Sequence, residues 1–211
     1  MKTIILKDDD LSYAVEVLLR GGLVAVPTET VYGLAGNGLD AAAVSKIYEV
    51  KGRPAIKPLS LLVAGLDVAE TVCLDIPESA RLLAEAFWPG PLTIVLHRRD
   101  TVPDIVTAGG STVGVRCPDH PKTLEFLRLA GVPAAAPSAN ISDMPSSKSA
   151  EDVLGYFDGG IECIIDGGMC KLGVESTIVD LTTEPYRILR RGALPEEEIA
   201  LALGGEAANE K

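Results

Sequence analysis

Residues 23–34 read LVAVPTETVYGL, an apolar run that ends at a proline and continues as a polar turn. The run from Leu23 to Val26 predicts a strand that is covered on both faces, and Pro27 ends it. Loops at the ends of such strands are where α/β proteins usually bind ligands. The turn is therefore interpreted either as a strand-to-helix connection capped by threonine or as a site for a small polar ligand.

Helical and strand patterns alternate along the rest of the chain without a strict order. Apolar spacing and capping residues predict helices at 11–20, 41–50, 77–87 and 122–130, and others that begin near 149 and 195. Short apolar runs predict strands at 3–6, 23–26, 59–63, 92–96, 112–115, 134–136, 162–165, 177–180 and 187–189. No repeat or linker divides the chain, so we expect one α/β domain over residues 1–203. It should contain a sheet of mixed parallel and antiparallel strands with helices around it, followed by a flexible tail at 204–211.

The composition excludes several classes of protein. Of 211 residues, 47% are hydrophobic and 23% are charged, which is typical of a globular domain and not of a disordered chain. A net charge of −11 argues against a protein that coats nucleic acid by bulk charge. Four scattered cysteines and two histidines argue against a zinc site and for a reducing, cytoplasmic location. We expect no signal peptide and no membrane-spanning segment.

The sign of the charge reverses locally after the second predicted helix. Residues 51–60 read KGRPAIKPLS, with cations at Lys51, Arg53 and Lys57 and no acid anywhere in 50–66. Arginine offers a planar fork to phosphate oxygens, and lysine offers a point charge. Because like charges this close repel unless an anion lies between them, a phosphate site is favoured over a solvated surface loop.

Three further polar turns follow or precede apolar strands. Arg116 ends one strand, where it can either clamp a carboxylate or pair with a surface acid. The turn at 137–140 reads PSAN and offers hydroxyl, amide and N–H donors in an uncharged stretch. Residues 173–180 place hydroxyls before another strand, and Arg190 ends the next one. The common nucleotide, hydrolase and zinc-protease motifs are missing, so chemistry centred on histidine is not expected.

The ordered set of motifs resembles the YrdC-type L-threonylcarbamoyl-adenylate synthases. The motifs are PTETVYGL, KGRP with KPL, WPGPLT, TAG with VRCP, PSAN, GVEST and LRRG, and the match runs from about Leu11 to about Leu203. The resemblance implies the short, single-domain form, with a twisted α/β sheet around a large cavity. It also implies that L-threonine, bicarbonate or CO₂, and ATP give threonylcarbamoyl-AMP and pyrophosphate. The product would pass to a tRNA threonylcarbamoyl transferase, with weak or indirect tRNA contact and no membrane.

The resemblance also implies roles for individual residues. Threonine would be bound by Thr30, Arg116 and Ser176. ATP would be bound by Arg53, Lys57, Thr112, Ser138, Asn140 and Arg190. Lys51, Arg53 and Lys57 would align the phosphates, with no covalent nucleophile and no metal-binding residues. Leu62 stands where many longer members carry histidine, so the contact that the imidazole would make with threonine is either missing here or made by the backbone.

The implied chemistry suits a site that lacks a histidine base. Threonine and CO₂ form a carbamate that is already anionic, so the protein must mainly align it with the α-phosphorus and neutralise crowded oxygens. No acidic cluster predicts a metal cage, and Mg²⁺ is therefore expected to arrive with ATP, without a permanently bound cofactor.

Two alternatives stay open at this point. One is a module that forms a different carbamoyl-adenylate, as in carbamoyltransferases of the hydrogenase-maturation type, although such modules normally belong to longer chains. The other is a non-catalytic RNA-binding protein with a basic groove. The net charge of −11 and the aromatic content of 4% weigh against that second alternative.

Overall fold

The computed structural model describes residues 2–205. The strands are β1 (Ile4–Leu6), β2 (Val24–Val26), β3 (Gly33–Asn37), β4 (Ser60–Leu62), β5 (Leu92–His97), β6 (Thr112–Arg116), β7 (Ala134–Ala135), β8 (Cys163–Ile165), β9 (Thr177–Asp180) and β10 (Arg187–Arg190). The helices are α1 (Ser12–Leu19), α2 (Ala41–Lys51), α3 (Leu66–Val72), α4 (Glu78–Phe87), α5 (Asp104–Thr107), α6 (Pro121–Ala130), α7 (Ala150–Phe157) and α8 (Glu196–Ala202). Of the predicted tail, residues 206–211 lie outside the described residues, and Gly204 and Gly205 are exposed.

The strands form one mixed sheet in the order β1-β8-β2-β3-β7-β4-β6-β5-β9-β10. The pairs β1–β8, β2–β8, β4–β6 and β5–β9 are parallel. The pairs β2–β3, β3–β7, β4–β7, β5–β6 and β9–β10 are antiparallel. The predicted α/β sheet of mixed parallel and antiparallel strands, with helices around it, is confirmed.

Around β2 and β8 the sheet is buried on both faces, which explains why these two strands are apolar throughout. Along β2, Ala25 belongs to one buried cluster, whereas Val24 and Val26 belong to a second cluster on the other side. The same alternation occurs in β8, where Ile164 faces the first cluster and its two neighbours face the second. Successive residues of a strand point to opposite faces, so both faces need apolar side chains.

The element that follows the opening turn differs from the prediction. The strand-to-helix interpretation of residues 27–34 is wrong, because the turn leads into β3, which pairs antiparallel with β2 and brings Val26 opposite Gly33. Strand β3 reads GLAGN and has low intrinsic strand propensity. Its small residues let α2 pack closely, since a Cβ at Gly36 would lie 3.2 Å from the Ile47 side chain.

Helix starts follow the predicted capping chemistry. The Asp40 side chain accepts a hydrogen bond from the Ala42 N–H at the start of α2. At α7, Ser149 and Asp152 form a reciprocal capping box, as their spacing predicts. Helix α3 and the one-turn helix α5 were not predicted from the sequence. Among residues 2–205, no helix is both long and apolar enough to cross a lipid bilayer.

Candidate active site

A cavity of about 350 Å³ opens between the turn after β2, the basic loop after α2 and the ends of β6, β7 and β10. Most of the predicted site residues line it, although they are far apart in sequence. They are Lys51, Arg53, Lys57, Arg116, Ser138, Asn140, Ser176 and Arg190. Two predicted residues, Thr30 and Thr112, do not line the cavity.

The cavity wall carries the opposite charge to the chain as a whole. Its lining includes five cationic residues, all of them among the predicted ones, and two acidic residues, Asp143 and Glu175. The whole chain has a net charge of −11. Concentrating cations in a concave wall attracts anionic ligands and raises their local concentration. The electrostatics therefore favour a ligand with several negative charges.

The basic loop is held in shape by its own backbone. Arg53 donates from Nε to the Lys57 carbonyl at 3.4 Å and from Nη2 to the Pro58 carbonyl at 3.1 Å. The Lys57 ammonium lies 3.5 Å from the exposed Asp143 carboxylate. Burial lowers the pKa of Arg53 from its ordinary value. These contacts fix the loop while leaving part of each cation free to meet a ligand.

Lys51 differs from the other two cations because protein acceptors surround its ammonium. The side chain is 1% exposed, and Nζ donates to the Ser138 carbonyl and to the Asn140 carbonyl at 2.6 Å. Its third contact is the Asn140 Oδ1 at 3.4 Å. Burial, with a smaller contribution from Arg53, lowers the pKa of Lys51 to about 8. Lys51 thus joins the end of α2 to the PSAN turn.

Arg116 lies at the end of β6 in a buried ion pair with Glu29. The distance between Nη2 and Glu29 Oε1 is 2.8 Å, and the two side chains are 8% and 5% exposed. Nη2 also donates to the Thr30 hydroxyl at 2.9 Å, and Nε donates to the Gly90 carbonyl at 3.1 Å. Burial lowers the pKa of Arg116, and Glu29 opposes this shift. Among residues 2–205, Nη1 has no hydrogen-bond partner, so it remains available to an anion in the cavity.

Thr30 acts through Arg116 in this arrangement. It is fully buried, and its hydroxyl lies 2.8 Å from the Thr28 hydroxyl and 2.9 Å from Arg116 Nη2. Thr28 itself lines the cavity, and its hydroxyl donates to the Val31 carbonyl. The turn between β2 and β3 therefore presents Thr28 to the cavity and supports the guanidinium with Thr30.

Ser176 and Arg190 form a second fixed group beside β9. The Ser176 hydroxyl lies 2.8 Å from the Thr93 hydroxyl and accepts from Arg190 Nη2 at 3.1 Å. Arg190 also pairs with Glu175 through Nη1. Gly192 permits this close approach, because a Cβ there would lie 2.4 Å from the Glu175 carbonyl oxygen.

The floor of the cavity is made by the sheet. On β6, a Cβ at Gly114 would lie 2.8 Å from the Ser60 hydroxyl and 3.1 Å from the Thr93 methyl. The missing side chain therefore lets these two lining residues approach the strand closely. Leu62 contributes an apolar surface and is 4% exposed. Thr112 pairs with His97 four residues before Arg116, which places it about 13 Å away along the strand.

Three residues of the site, Glu29, Glu175 and Thr93, are not indicated by the sequence motifs as functional side chains. Glu29 is the sole charged residue in 21–39, which is the signal that could have indicated a buried partner for a distant arginine. Glu175 and Thr93 carry no such signal. Their roles depend on β5 and β9 lying side by side, with Thr93 opposite Ile178.

Comparison with known proteins identifies relatives along most of the chain. The Sua5/YciO/YrdC family model, described as telomere recombination, matches residues 16–192. A threonylcarbamoyl-AMP synthase of Pyrococcus abyssi is 52% identical over 185 residues, which make up 88% of this chain and 54% of that protein. One of Bacillus subtilis is 43% identical over 198 residues, or 93% of this chain and 57% of that protein.

A solved structure agrees in fold as well as in sequence. The crystal structure of P. abyssi Sua5 complexed with L-threonine matches with a TM-score of 0.92 and 47% identity. The match covers 97% of this chain and 61% of that one. The chain thus spans little more than half the length of these relatives.

Proposed function

The chain belongs to the Sua5/YciO/YrdC family, and from that premise we propose that it makes threonylcarbamoyl-AMP from L-threonine, bicarbonate or CO₂, and ATP. The observation that carries the proposal is that one cavity contains a buried arginine beside hydroxyls and a separate group of half-exposed cations. The first group suits an amino acid and the second suits a triphosphate. The names of the relatives support the same reaction.

The amino-acid end of the cavity is proposed to lie at Arg116. Its Nη1 would bind the threonine carboxylate, while Thr30 and Glu29 hold the guanidinium from behind. The Ser176 hydroxyl, oriented by Thr93 and Arg190, would bind the threonine hydroxyl. P. abyssi Sua5, whose structure matches 97% of this chain, forms a complex with L-threonine.

The phosphate end is proposed to lie at Arg53, Lys57 and Arg190. These side chains are partly exposed to the cavity, unlike Lys51, whose ammonium already meets three protein acceptors. Lys51 would therefore align the phosphates indirectly, by holding the turn that carries Ser138 and Asn140. Those two residues would complete the nucleotide site. Thr112 lies about 13 Å from Arg116 along β6 and does not line the cavity, so its predicted role in ATP binding gains no support.

The reaction needs alignment more than acid–base catalysis. The threonine amine adds to CO₂ and loses a proton, which gives a carbamate anion. A carbamate oxygen then forms a bond to the α-phosphorus while the bond to pyrophosphate breaks. Fixed cations neutralise the crowded oxygens and hold the two anions together against their repulsion.

Mg²⁺ is proposed to enter with ATP. Both carboxylates in the cavity lining already face cations, Glu175 through Arg190 and Asp143 through Lys57. Among residues 2–205, no cluster of three histidine, cysteine or acidic residues forms a metal site. Bound to phosphate oxygens, the ion would supply further charge neutralisation to the leaving pyrophosphate.

The product is proposed to pass to a tRNA threonylcarbamoyl transferase in the cytoplasm, with weak or indirect contact between this chain and tRNA.

Pyrophosphate release should require both L-threonine and bicarbonate. Nucleotide cleavage that requires carbamoyl phosphate instead would favour the carbamoyltransferase alternative. Tight filter binding of unmodified tRNA without pyrophosphate release would favour the RNA-binding alternative.

A further inference from the structure

A second cavity of about 380 Å³ lies between α4, α6 and the segment that follows β4. It falls within the range of about 300–1,000 Å³ typical of small-molecule sites. Most of its lining is apolar, and none of the residues discussed for the proposed reaction lines it. The charged residues of the lining are Arg81, Glu85 and Arg128.

The indole of Trp88 forms one wall of this second cavity. Its N–H donates to the Leu92 carbonyl at 2.8 Å, so the ring is fixed and its polar atom is already satisfied. Leu66 and Leu124 add aliphatic surface to the lining. A fixed indole beside leucine side chains favours a flat apolar group, because aromatic rings gain from stacking as well as from burial.

Arg128 gives the second cavity a free positive charge. The other arginine, Arg81, is engaged by Glu70 at 2.9 Å, whereas Arg128 on α6 and Glu85 on α4 have no side-chain hydrogen bond or ion pair with any residue in 2–205. Burial raises the pKa of the Cys117 thiol in this lining to about 11, and the charge of Arg128 is the largest opposing influence. Arg128 lines the cavity without a protein partner among residues 2–205, so it can pair with the anionic group of a ligand.

The second cavity shares a wall with the candidate active site. Arg116 lines the first cavity, and the next residue, Cys117, lines the second. The Gly90 N–H donates to the Cys117 carbonyl at 2.8 Å, and the Gly90 carbonyl accepts from Arg116 Nε at 3.1 Å. Gly90 follows Pro89, which also lines the second cavity. A ligand that displaces Pro89 or Cys117 must therefore move a partner of Arg116.

We propose that the second cavity binds a small organic anion with a flat apolar body, such as an aryl-substituted carboxylate, and that its occupancy changes the affinity of the first cavity for L-threonine. The coupling half of this proposal rests on the function proposed above, whereas the binding half does not. Ligand binding and its coupling to threonine are therefore measured in separate experiments.

Trp88 provides a direct measurement, because it is the sole tryptophan of the chain. The full chain is titrated with 3-phenylpropionate and with its uncharged amide, and Trp88 fluorescence is followed. We expect a saturable change, with the carboxylate binding about three- to fivefold more tightly than the amide. Arg128→Gln should remove that preference. Arg20→Gln, at a distant exposed ion pair, should retain it.

The coupling is tested by measuring the Kd of L-threonine with and without saturating 3-phenylpropionate. The Kd should change, and threonine should change the Kd of 3-phenylpropionate by the same factor, as linkage requires. The absence of a saturable Trp88 signal would overturn the proposal. Equal binding of the acid and the amide would also overturn it, and so would a preference for the acid that remains in Arg128→Gln. Either result would mean that Arg128 does not bind the carboxylate. A Kd of L-threonine that is the same with and without saturating 3-phenylpropionate would overturn the proposed coupling.

Discussion

Replacing Glu29 by alanine should destabilise the protein strongly, because the change leaves the Arg116 guanidinium buried without its counter-charge. The pair is joined at 2.8 Å, with both side chains less than one tenth exposed. Removing one member of such a buried pair costs about 3–5 kcal/mol of unfolding free energy. The other Glu29 oxygen accepts from the Asp119 N–H at 3.1 Å, and that donor would also lose its partner.

Glu175→Ala is the matched control for this experiment. Glu175 also pairs with an arginine that lines the cavity, but its side chain is 37% exposed and that of Arg190 is 40% exposed. Because solvent screens the charges, such a pair contributes only about 0–1 kcal/mol to the unfolding free energy. Urea unfolding followed by Trp88 fluorescence gives both free energies on the same scale.

A double replacement tests whether the loss of stability in Glu29→Ala comes from leaving the Arg116 charge buried without a partner. Changing Glu29 and Arg116 together to methionine removes both charges and keeps an apolar volume, so the unfolding free energy should recover most of the loss. Threonine binding should nevertheless be lost in this double variant, because the proposed carboxylate partner Arg116 is gone. The reasoning is refuted if Glu29→Ala costs no more than Glu175→Ala, or if the double variant is no more stable than the single one.

Three further predictions concern the ligands and the pH dependence. Arg53→Ala and Lys57→Ala should each raise the calorimetric Kd of ATP about tenfold and leave that of threonine nearly unchanged, because each removes a charge-assisted contact. Valine should be rejected more strongly than serine in competition measurements of kcat/KM, and Ser176→Ala should narrow the preference for threonine over valine. Between pH 8 and about 10 the unfolded chain binds more protons at Lys51 than the folded one, so the unfolding free energy of the wild type should rise relative to Lys51→Met.

Each of these predictions has a contrary outcome. Unchanged ATP affinity in both basic-loop variants would mean that Arg53 and Lys57 form a solvated surface only. Valine competing better than serine would mean that methyl packing decides the choice of amino acid, and the assignment of Ser176 would be wrong. A pH-independent difference between wild type and Lys51→Met would mean that burial does not lower the pKa of Lys51.

The sequence predicts those parts of the fold whose signals are local. The apolar runs of β2, β5 and β8 and the caps at Asp40 and Ser149 need no knowledge of distant residues, and all of them occur in the structure. Strand β3 could not be predicted in this way. Its GLAGN sequence becomes a strand because β2 and β7 supply hydrogen bonds on both sides.

The candidate site also has features that local sequence predicts and features that depend on distant residues. Residue types and the basic loop indicate anion binding, and eight of the predicted residues do meet in one cavity. Which side chains hold a ligand and which hold each other depends on three-dimensional pairing. The Lys51 ammonium donates to carbonyl oxygens, and Arg116 pairs with Glu29, which lies 87 positions earlier in the chain. The isolated charge of Glu29 indicates a buried partner but does not say which arginine it is.

The most direct test of the proposed function is incubation of the purified protein with ATP, L-threonine and ¹³C-labelled bicarbonate, followed by mass spectrometry of the nucleotides. The proposal predicts a product that contains AMP, threonine and the labelled carbon, formed together with pyrophosphate. The product should disappear when threonine is omitted. Nucleotide products without threonine or without the label, or ATP left intact under these conditions, would contradict it.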